Sequence, residues 1–188
     1  MDVMLLRLFQ RQILLQTQAI LMAAHDLEKA LLVSDSIGMW VAVQNLLTAA
    51  ANISKACWGS QQERFADDRE PLRLSLGIPD DSPLRRVVMR NRFEHFDEYL
   101  DKWWKGSTNH NYLDMSVMPP GAVQGLEEKE MFRVFDPTTS DLVFWGMRFN
   151  LRELIAAVQA LHPVVSAEAG KPHWEPPSDA SSPGGGGQ

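Results

Sequence analysis

The stretch MRNRFEHFDEYLDKWW, which runs from Met89 to Trp104, decides the fold because its apolar residues recur at helical spacing. At about 100° per residue they form one apolar stripe. Pro83, placed after a capping serine, suits the first position of a helix. The pattern therefore predicts one amphipathic helix over residues 83–104, with Asn91 and His95 side by side next to the stripe. The residues of the stripe are Met89, Phe93, Phe96, Leu100, Trp103 and Trp104.

Upstream of this stretch the sequence predicts more helices. Residues 1–33 contain no glycine or proline and read as one long helix. Asp35 or Ser36 can cap a second helix that ends at Gly59. This second helix is apolar nearly all round, which is typical of a central helix. A short helix over residues 71–76 follows.

Downstream of the stretch the pattern changes. Residues 109–130 read as irregular, and two apolar runs around an Asp-Pro turn predict a β-hairpin at about 131–146. A final helix is expected over 151–161. From Pro163 onward the chain is rich in Pro, Gly and Ser, so residues 163–188 are expected to be a disordered tail. The fold class predicted is mainly α: a helical domain over 1–162 with a small hairpin inside it.

The charge of the chain restricts how it could bind nucleic acid. Its formal net charge is −6, so no global field attracts RNA, and an RNA site would have to be a local basic patch. Arg85, Arg86, Arg90 and Arg92 are the candidates for such a patch. Alternatively, these arginines are the solvated start of a helix, partly neutralised by the acidic residues that follow.

Cysteine usage and hydropathy indicate a cytoplasmic protein. Cys57 is alone, so no disulfide framework is expected, and its apolar neighbourhood favours a core position over a nucleophile. Arg7 and Arg11 interrupt the N-terminal apolar run, so no signal peptide is predicted. Residues 12–24 fall short of the ~20 apolar residues that a membrane span needs. No metal-ligand spacing is present.

The residues around His95 are chemically suited to cleaving RNA. Histidine transfers protons readily at neutral pH. Arg90 or Arg92 could hold a phosphate through a bidentate fork, with Arg86 as a further substrate contact. Asn91 could orient the imidazole or the phosphate. The reaction would be attack of a ribose 2′-hydroxyl on the adjacent phosphate, which requires no metal.

Arg90, Asn91, three further residues and His95 on a helix resemble the motif of the HEPN superfamily. The resemblance covers roughly residues 1–105, with the last helix as a possible addition, and only the motif itself is specific. It implies a helical bundle, a homodimer with a cleft between the protomers, and a metal-independent endoribonuclease without a cofactor. It also implies that Arg90 and His95 are essential, with Asn91 as the variable polar position. The chain departs from several HEPN toxins at Asp97, where those proteins carry a tyrosine.

The helical wheel limits this mechanism. Arg90 and His95 are about 140° apart on a regular helix, whereas Arg92 and His95 are about 60° apart. One solution is a two-fold dimer that joins two copies of the motif into one composite site. The other is a structural role for Arg90, such as an ion pair with Glu94.

Polar residues elsewhere could complete such a site. Asn45 and Asn52 share one face of the second helix, which could pack on the motif helix; alternatively, they contact neighbouring backbone or solvent. His110 lies on a polar loop that could reach the cleft.

The function expected is cleavage of single-stranded RNA in bacterial toxin–antitoxin or defence systems, with a possible antitoxin partner. The alternatives are a non-catalytic HEPN-like module for RNA binding or dimeric assembly, and a bundle whose Arg and His make only core hydrogen bonds.

Overall fold

The computed structural model of the protein describes residues 1–59, 65–85, 87–119 and 121–175. Within these ranges the chain forms six α-helices and one four-stranded sheet. The prediction of a mainly helical chain with a small β element is confirmed. No helix in the described ranges has the length and apolar character needed to cross a membrane.

Two long helices form the centre of the fold, as the sequence predicts. Helix α1 spans Val3–Leu32 and helix α2 spans Ser36–Trp58. The Asp35 carboxylate accepts a hydrogen bond from the Gly38 amide at 2.9 Å, which caps α2. Helix α2 packs against α1, and its inner positions are among the most buried of the described residues. Its apolar surroundings therefore agree with the central place that its sequence indicates.

The motif stretch does not form one helix. After the short helix α3 (Glu70–Ser75), helix α4 spans Val88–Glu94 and helix α5 spans Phe96–Gly106, with His95 between them. Aromatic side chains on both sides of His95 pack against Phe144. Phe93 of α4 contacts Trp40 of α2, whereas Phe96 of α5 contacts Phe132 next to the sheet. Because the helical stretch begins at Val88 and is interrupted at His95, the single helix predicted over 83–104 is wrong.

The β element is larger than the predicted hairpin. Strands β1 (Ser116–Val117), β2 (Val134–Asp136), β3 (Asp141–Phe144) and β4 (Met147–Asn150) form a sheet in that order. Strand β1 pairs in parallel with β2 and the other neighbours are antiparallel. Its partner lies far along the chain, so local sequence predicted only irregular structure there.

The last helix, α6, spans Leu151–Ala169 and continues through Pro163. The prediction that the tail begins at Pro163 is therefore wrong for residues 163–169. A proline inside a helix removes one hydrogen bond, yet here buried contacts favour the helix. Val165 is fully buried, and the Glu168 carboxylate lies 2.9 Å from the guanidinium of buried Arg7 on α1. Residues 176–188 of the predicted tail lie outside the described ranges.

Candidate functional site

His95 lies at the junction between α4 and α5, where its backbone leaves the helical region at φ −97° and ψ 33°. The imidazole side chain is 59% exposed, and its Nδ1 lies 3.2 Å from a carboxylate oxygen of Glu98. A histidine this exposed is available to a ligand. The interpretation that His95 makes only core hydrogen bonds is therefore wrong.

His95 lines an open cleft together with residues of both helices. The cleft has a volume of about 260 Å³. This is slightly below the range of ~300–1,000 Å³ that is usual for small-molecule pockets. The cleft is therefore suited to a single group such as a phosphodiester rather than to a whole cofactor. Its lining residues are Val88, Asn91, Arg92, His95, Glu98, Tyr99 and Lys102.

Two cations and one carboxylate determine the charge of the cleft. The Arg92 guanidinium lies 5.2 Å from the centroid of the Tyr99 ring, and the Lys102 ammonium lies 4.9 Å from it. Glu98 lies between His95 and Lys102, with its second oxygen 3.6 Å from the Lys102 nitrogen. Both cations line the cleft, so an anion that enters it would be attracted to them. The cleft can therefore attract a phosphate, with Glu98 opposing part of that attraction.

Arg90 does not line the cleft. Its guanidinium forms an ion pair with Glu94, one turn further along α4, and its side chain is 22% exposed. A weak hydrogen bond of 3.4 Å links it to the Asn91 side chain. Of the two roles that the helical wheel allowed for Arg90, the structure contains the ion pair with Glu94. Arg92, which the wheel placed nearer to His95, is the arginine that shares the cleft with it.

The remaining predicted site residues lie elsewhere. Asn45 is exposed, and the Asn52 amide donates to the Gln16 side chain of α1 at 3.2 Å. Neither residue is among those lining the cleft, so they do not orient Arg90 or His95. Arg86 lies outside the described residues.

His110 forms a separate aromatic cluster at the end of α5. Its ring centroid is 4.4 Å from that of Trp104, and its Nε2 lies 3.2 Å from the Trp104 carbonyl oxygen. The Ser107 hydroxyl accepts a hydrogen bond from the His110 amide at 2.9 Å. These contacts hold His110 on its own loop, and it is not among the residues lining the cleft.

Three lining residues of the cleft were missed by reasoning from the sequence: Glu98, Tyr99 and Lys102. The signal was present, because positions 95, 98, 99 and 102 share one face of α5 at helical spacing. Lys102 and Glu98 belong to a charged series that was interpreted only as neutralising the arginines. Their grouping around His95 was already present on the wheel of the single helix predicted, where these four positions lie within about 100° of one another.

Cys57 takes no part in the cleft and is buried. Burial raises the pKa of its thiol to about 12, against a smaller opposing effect of the Arg73 and Arg69 charges. The thiol is therefore protonated at neutral pH, in agreement with the core position predicted. In the part of the chain that the structure describes, no group of three or more His, Cys, Asp or Glu side chains could hold a metal ion.

Replacing His95 by Gln should leave the free energy of unfolding within ~0.5 kcal/mol of the wild-type value, the usual range for surface changes. The reason is that the imidazole is mostly in solvent and its neighbour Glu98 is also exposed. Urea denaturation followed by circular dichroism measures this difference. A loss of several kcal/mol would mean that His95 supports the junction between α4 and α5 rather than a ligand.

Comparison of the chain with protein-family models, with curated proteins and with solved structures gave no match.

Proposed function

We propose that the protein is a metal-independent endoribonuclease that cleaves single-stranded RNA at the His95 cleft. The observation that carries this proposal is the exposed imidazole of His95 in the same cleft as Arg92 and Lys102. Proton transfer and phosphate binding are the two requirements of this reaction, and these side chains are suited to them. The resemblance of the Arg90–His95 motif to the HEPN superfamily supports the same reaction.

The reaction needs two proton transfers. A base removes the proton of the ribose 2′-hydroxyl, whose oxygen then forms a bond to the adjacent phosphorus. The bond from phosphorus to the 5′-oxygen breaks, and an acid gives that oxygen a proton. The products are a 2′,3′-cyclic phosphate and a 5′-hydroxyl. In this scheme His95 performs one of the proton transfers, while Arg92 and Lys102 stabilise the charge that develops on the phosphate.

A second copy of the chain would supply the other proton-transfer group. Among the described residues that line the cleft, His95 is the only histidine. A two-fold dimer in which two clefts face one groove would place two imidazoles on one phosphate. This is the composite site that we propose, with Arg92 in place of Arg90 as the phosphate ligand. We further propose, from the superfamily resemblance alone, a role in bacterial toxin–antitoxin or defence systems with a protein antitoxin.

A non-catalytic module that binds RNA or assembles as a dimer is the second candidate. It is favoured by the carboxylates around the motif. Glu98 contacts His95 and Lys102, and Glu94 is paired with Arg90. Together with the net charge of −6, they weaken the attraction for a phosphate. This weakened attraction favours the dimeric assembly module, whereas an RNA-binding module would retain RNA without cutting it.

Cleavage of single-stranded RNA by the wild-type protein should survive an excess of EDTA and leave 2′,3′-cyclic phosphate ends. The reason is that the proposed chemistry uses only side chains of the cleft. Denaturing gels of end-labelled RNAs of varied sequence measure cleavage, and acid treatment of the products identifies the cyclic ends. A fluorescence-anisotropy titration on a 2′-deoxy RNA analogue measures binding separately. Binding without cleavage would favour the RNA-binding module. A protein that neither binds nor cleaves RNA would refute both RNA-dependent candidates and leave only the dimeric assembly module.

A further inference from the structure

The outer face of α1 carries large apolar side chains that the fold leaves in solvent. Met4 is 58% exposed, Leu8 50%, Leu15 56% and Met22 69%. Leu8, Leu15 and Met22, here called the α1 stripe, lie within about 40° of one another around the helix and roughly opposite the buried Ile13 and Ile20. Single exposed apolar residues are ordinary, but large apolar residues that repeat along one face mark an interaction surface. The exposed positions between the members of the stripe are Arg11, Gln12, Gln18 and Ala19.

The spacing of the α1 stripe is that of a helix-pairing surface. Leu8, Leu15 and Met22 follow each other at intervals of seven residues. Buried residues on the inner face of α1, which include Ile13 and Ile20, repeat at the same seven-residue interval and form an inner row. The two rows lie roughly 200° apart around the helix, because adjacent members are two residues apart. A seven-residue apolar repeat keeps one side of a helix against a partner helix along its length. The inner row packs against other helices of the same protomer. The outer row, which is the α1 stripe, has the same spacing but lies in solvent.

The charge of α1 favours an uncharged partner surface. Between Asp2 and Asp26 the charged residues of the helix are Arg7 and Arg11. Arg7 is buried against Glu168, and Arg11, beside the stripe, donates a hydrogen bond of 3.4 Å to the Ala169 carbonyl at the end of α6. Helices that lie on membranes carry several basic residues on their polar face. A helix that binds an acidic protein likewise needs basic residues on its binding face. The stripe lacks such residues, so it fits an apolar surface without net charge.

The stripe is complementary to itself when two copies pair antiparallel. A two-fold axis at Leu15 places Leu8 opposite Met22 of the second copy, because both are equally distant from Leu15. It also places Leu15 opposite Leu15, and Arg11 opposite Ala19. Met4 comes opposite Asp26, so that no like charges meet on this face, whereas a parallel pair would bring the two Arg11 side chains together. Self-complementarity of this kind is what a two-fold interface requires.

We propose that the α1 stripe is the docking surface for a second copy of this chain, paired antiparallel about Leu15. Exposed uncharged residues of α2, including Val41, Asn45 and Thr48, extend the surface beside it. The hydrogen bond between Asn52 and Gln16 lies at the seam of the two helices. A two-helix face ~30 Å long and ~20 Å wide offers about 600 Å² per protomer. Two such faces exceed the ~1,000 Å² of total area that a specific interface needs.

This surface is distinct from the His95 cleft. Asn52 of α2 contacts α1, whereas Ser54 donates at 2.7 Å to the Arg85 carbonyl on the segment before α4. These positions are about 200° apart around α2, so α1 and α4 lie on different flanks of it. Pairing through the α1 stripe therefore leaves the cleft open, and it does not depend on the proposed function. If both contacts form, the assembly is a tetramer with two kinds of two-fold interface.

Cysteine cross-linking tests the geometry directly. In the antiparallel pair the two Leu15 side chains face each other, so Leu15→Cys should form an intermolecular disulfide under mild oxidation. The two Leu8 positions are ~21 Å apart, so neither Leu8→Cys nor Met22→Cys should cross-link alone. A mixture of these two variants should cross-link to each other. The native Cys57 is fully buried and does not compete. Leu74→Cys, at an exposed residue of α3, is the matched control and should remain uncross-linked.

Assembly in solution provides the second measurement. By analytical ultracentrifugation at micromolar concentration, Leu15→Glu should lower the oligomeric mass by half, because it puts two carboxylates in contact. Leu74→Glu should keep the wild-type mass, and circular dichroism checks that both variants are folded. A wild-type monomer, or a Leu15→Glu protein of wild-type mass, would overturn the proposal. So would cross-linking of Leu8→Cys with itself, which requires a parallel pair. RNA cleavage is measured separately, so its absence would not affect these outcomes.

Discussion

Replacing His95 by Ala should lower the rate of RNA cleavage by roughly 10²–10⁴-fold, the usual contribution of a positioned acid or base. The variant should keep its fold because the side chain is largely in solvent. Initial rates on one labelled single-stranded RNA, measured below and above saturation, separate the loss of chemistry from a loss of binding. A variant with wild-type rates would exclude His95 from the reaction.

The two arginines of the motif provide a matched comparison for this experiment. Arg92 lines the cleft with His95, whereas Arg90 is paired with Glu94. We therefore expect Arg92→Ala to reduce cleavage at least tenfold more than Arg90→Ala. The opposite order would mean that Arg90 leaves Glu94 when RNA binds, as the essential arginine of the motif would. Binding of the 2′-deoxy analogue by both variants reports whether the loss lies in phosphate binding.

Replacing Glu168 by Leu should lower the free energy of unfolding by ~3–5 kcal/mol, which is typical when one partner of a buried ion pair is removed. The Arg7 guanidinium, 1% exposed, lies 2.9 Å from the Glu168 carboxylate. It also donates to the Gln10 side chain at 2.7 Å and to the Glu175 carbonyl at 2.7 Å. Without Glu168, a buried positive charge would remain without its counter-ion. Urea denaturation followed by circular dichroism measures the change.

Glu153→Leu on the same helix is the control for this change, because Glu153 is exposed and should cost about 1 kcal/mol or less. The double variant Arg7→Met with Glu168→Leu should recover most of the loss, since it replaces the buried pair with apolar side chains. If Glu168→Leu lowered the free energy of unfolding no more than the control does, the contact between α1 and the end of α6 would not be what stabilises the helix beyond Pro163. The α6 extension would then need another cause.

Local sequence determined the long helices of this protein. The absence of glycine and proline up to residue 33, the Asp35 cap and Gly59 after α2 are signals within a few residues of the boundaries they predict. Turn residues after Asp136 likewise indicated two antiparallel strands. The sequence also indicated His95 as the central candidate of the site, because its position beside an apolar stripe predicts partial exposure.

Tertiary contacts decided what these local signals could not. On the two sides of His95, Phe93 packs on Trp40 of α2 and Phe96 packs on Phe132, and both rings contact Phe144 of the sheet. These partners are far from the motif in sequence. Arg92, His95 and Lys102 line one cleft, as their wheel angles on a continuous helix allow, whereas Arg90 pairs with Glu94. Strand β1 has a partner some twenty residues away, and α6 continues through Pro163 where Glu168 meets Arg7 of α1. In each case burial against a distant segment outweighs the local preference, because contacts with such segments contribute more free energy than propensity does.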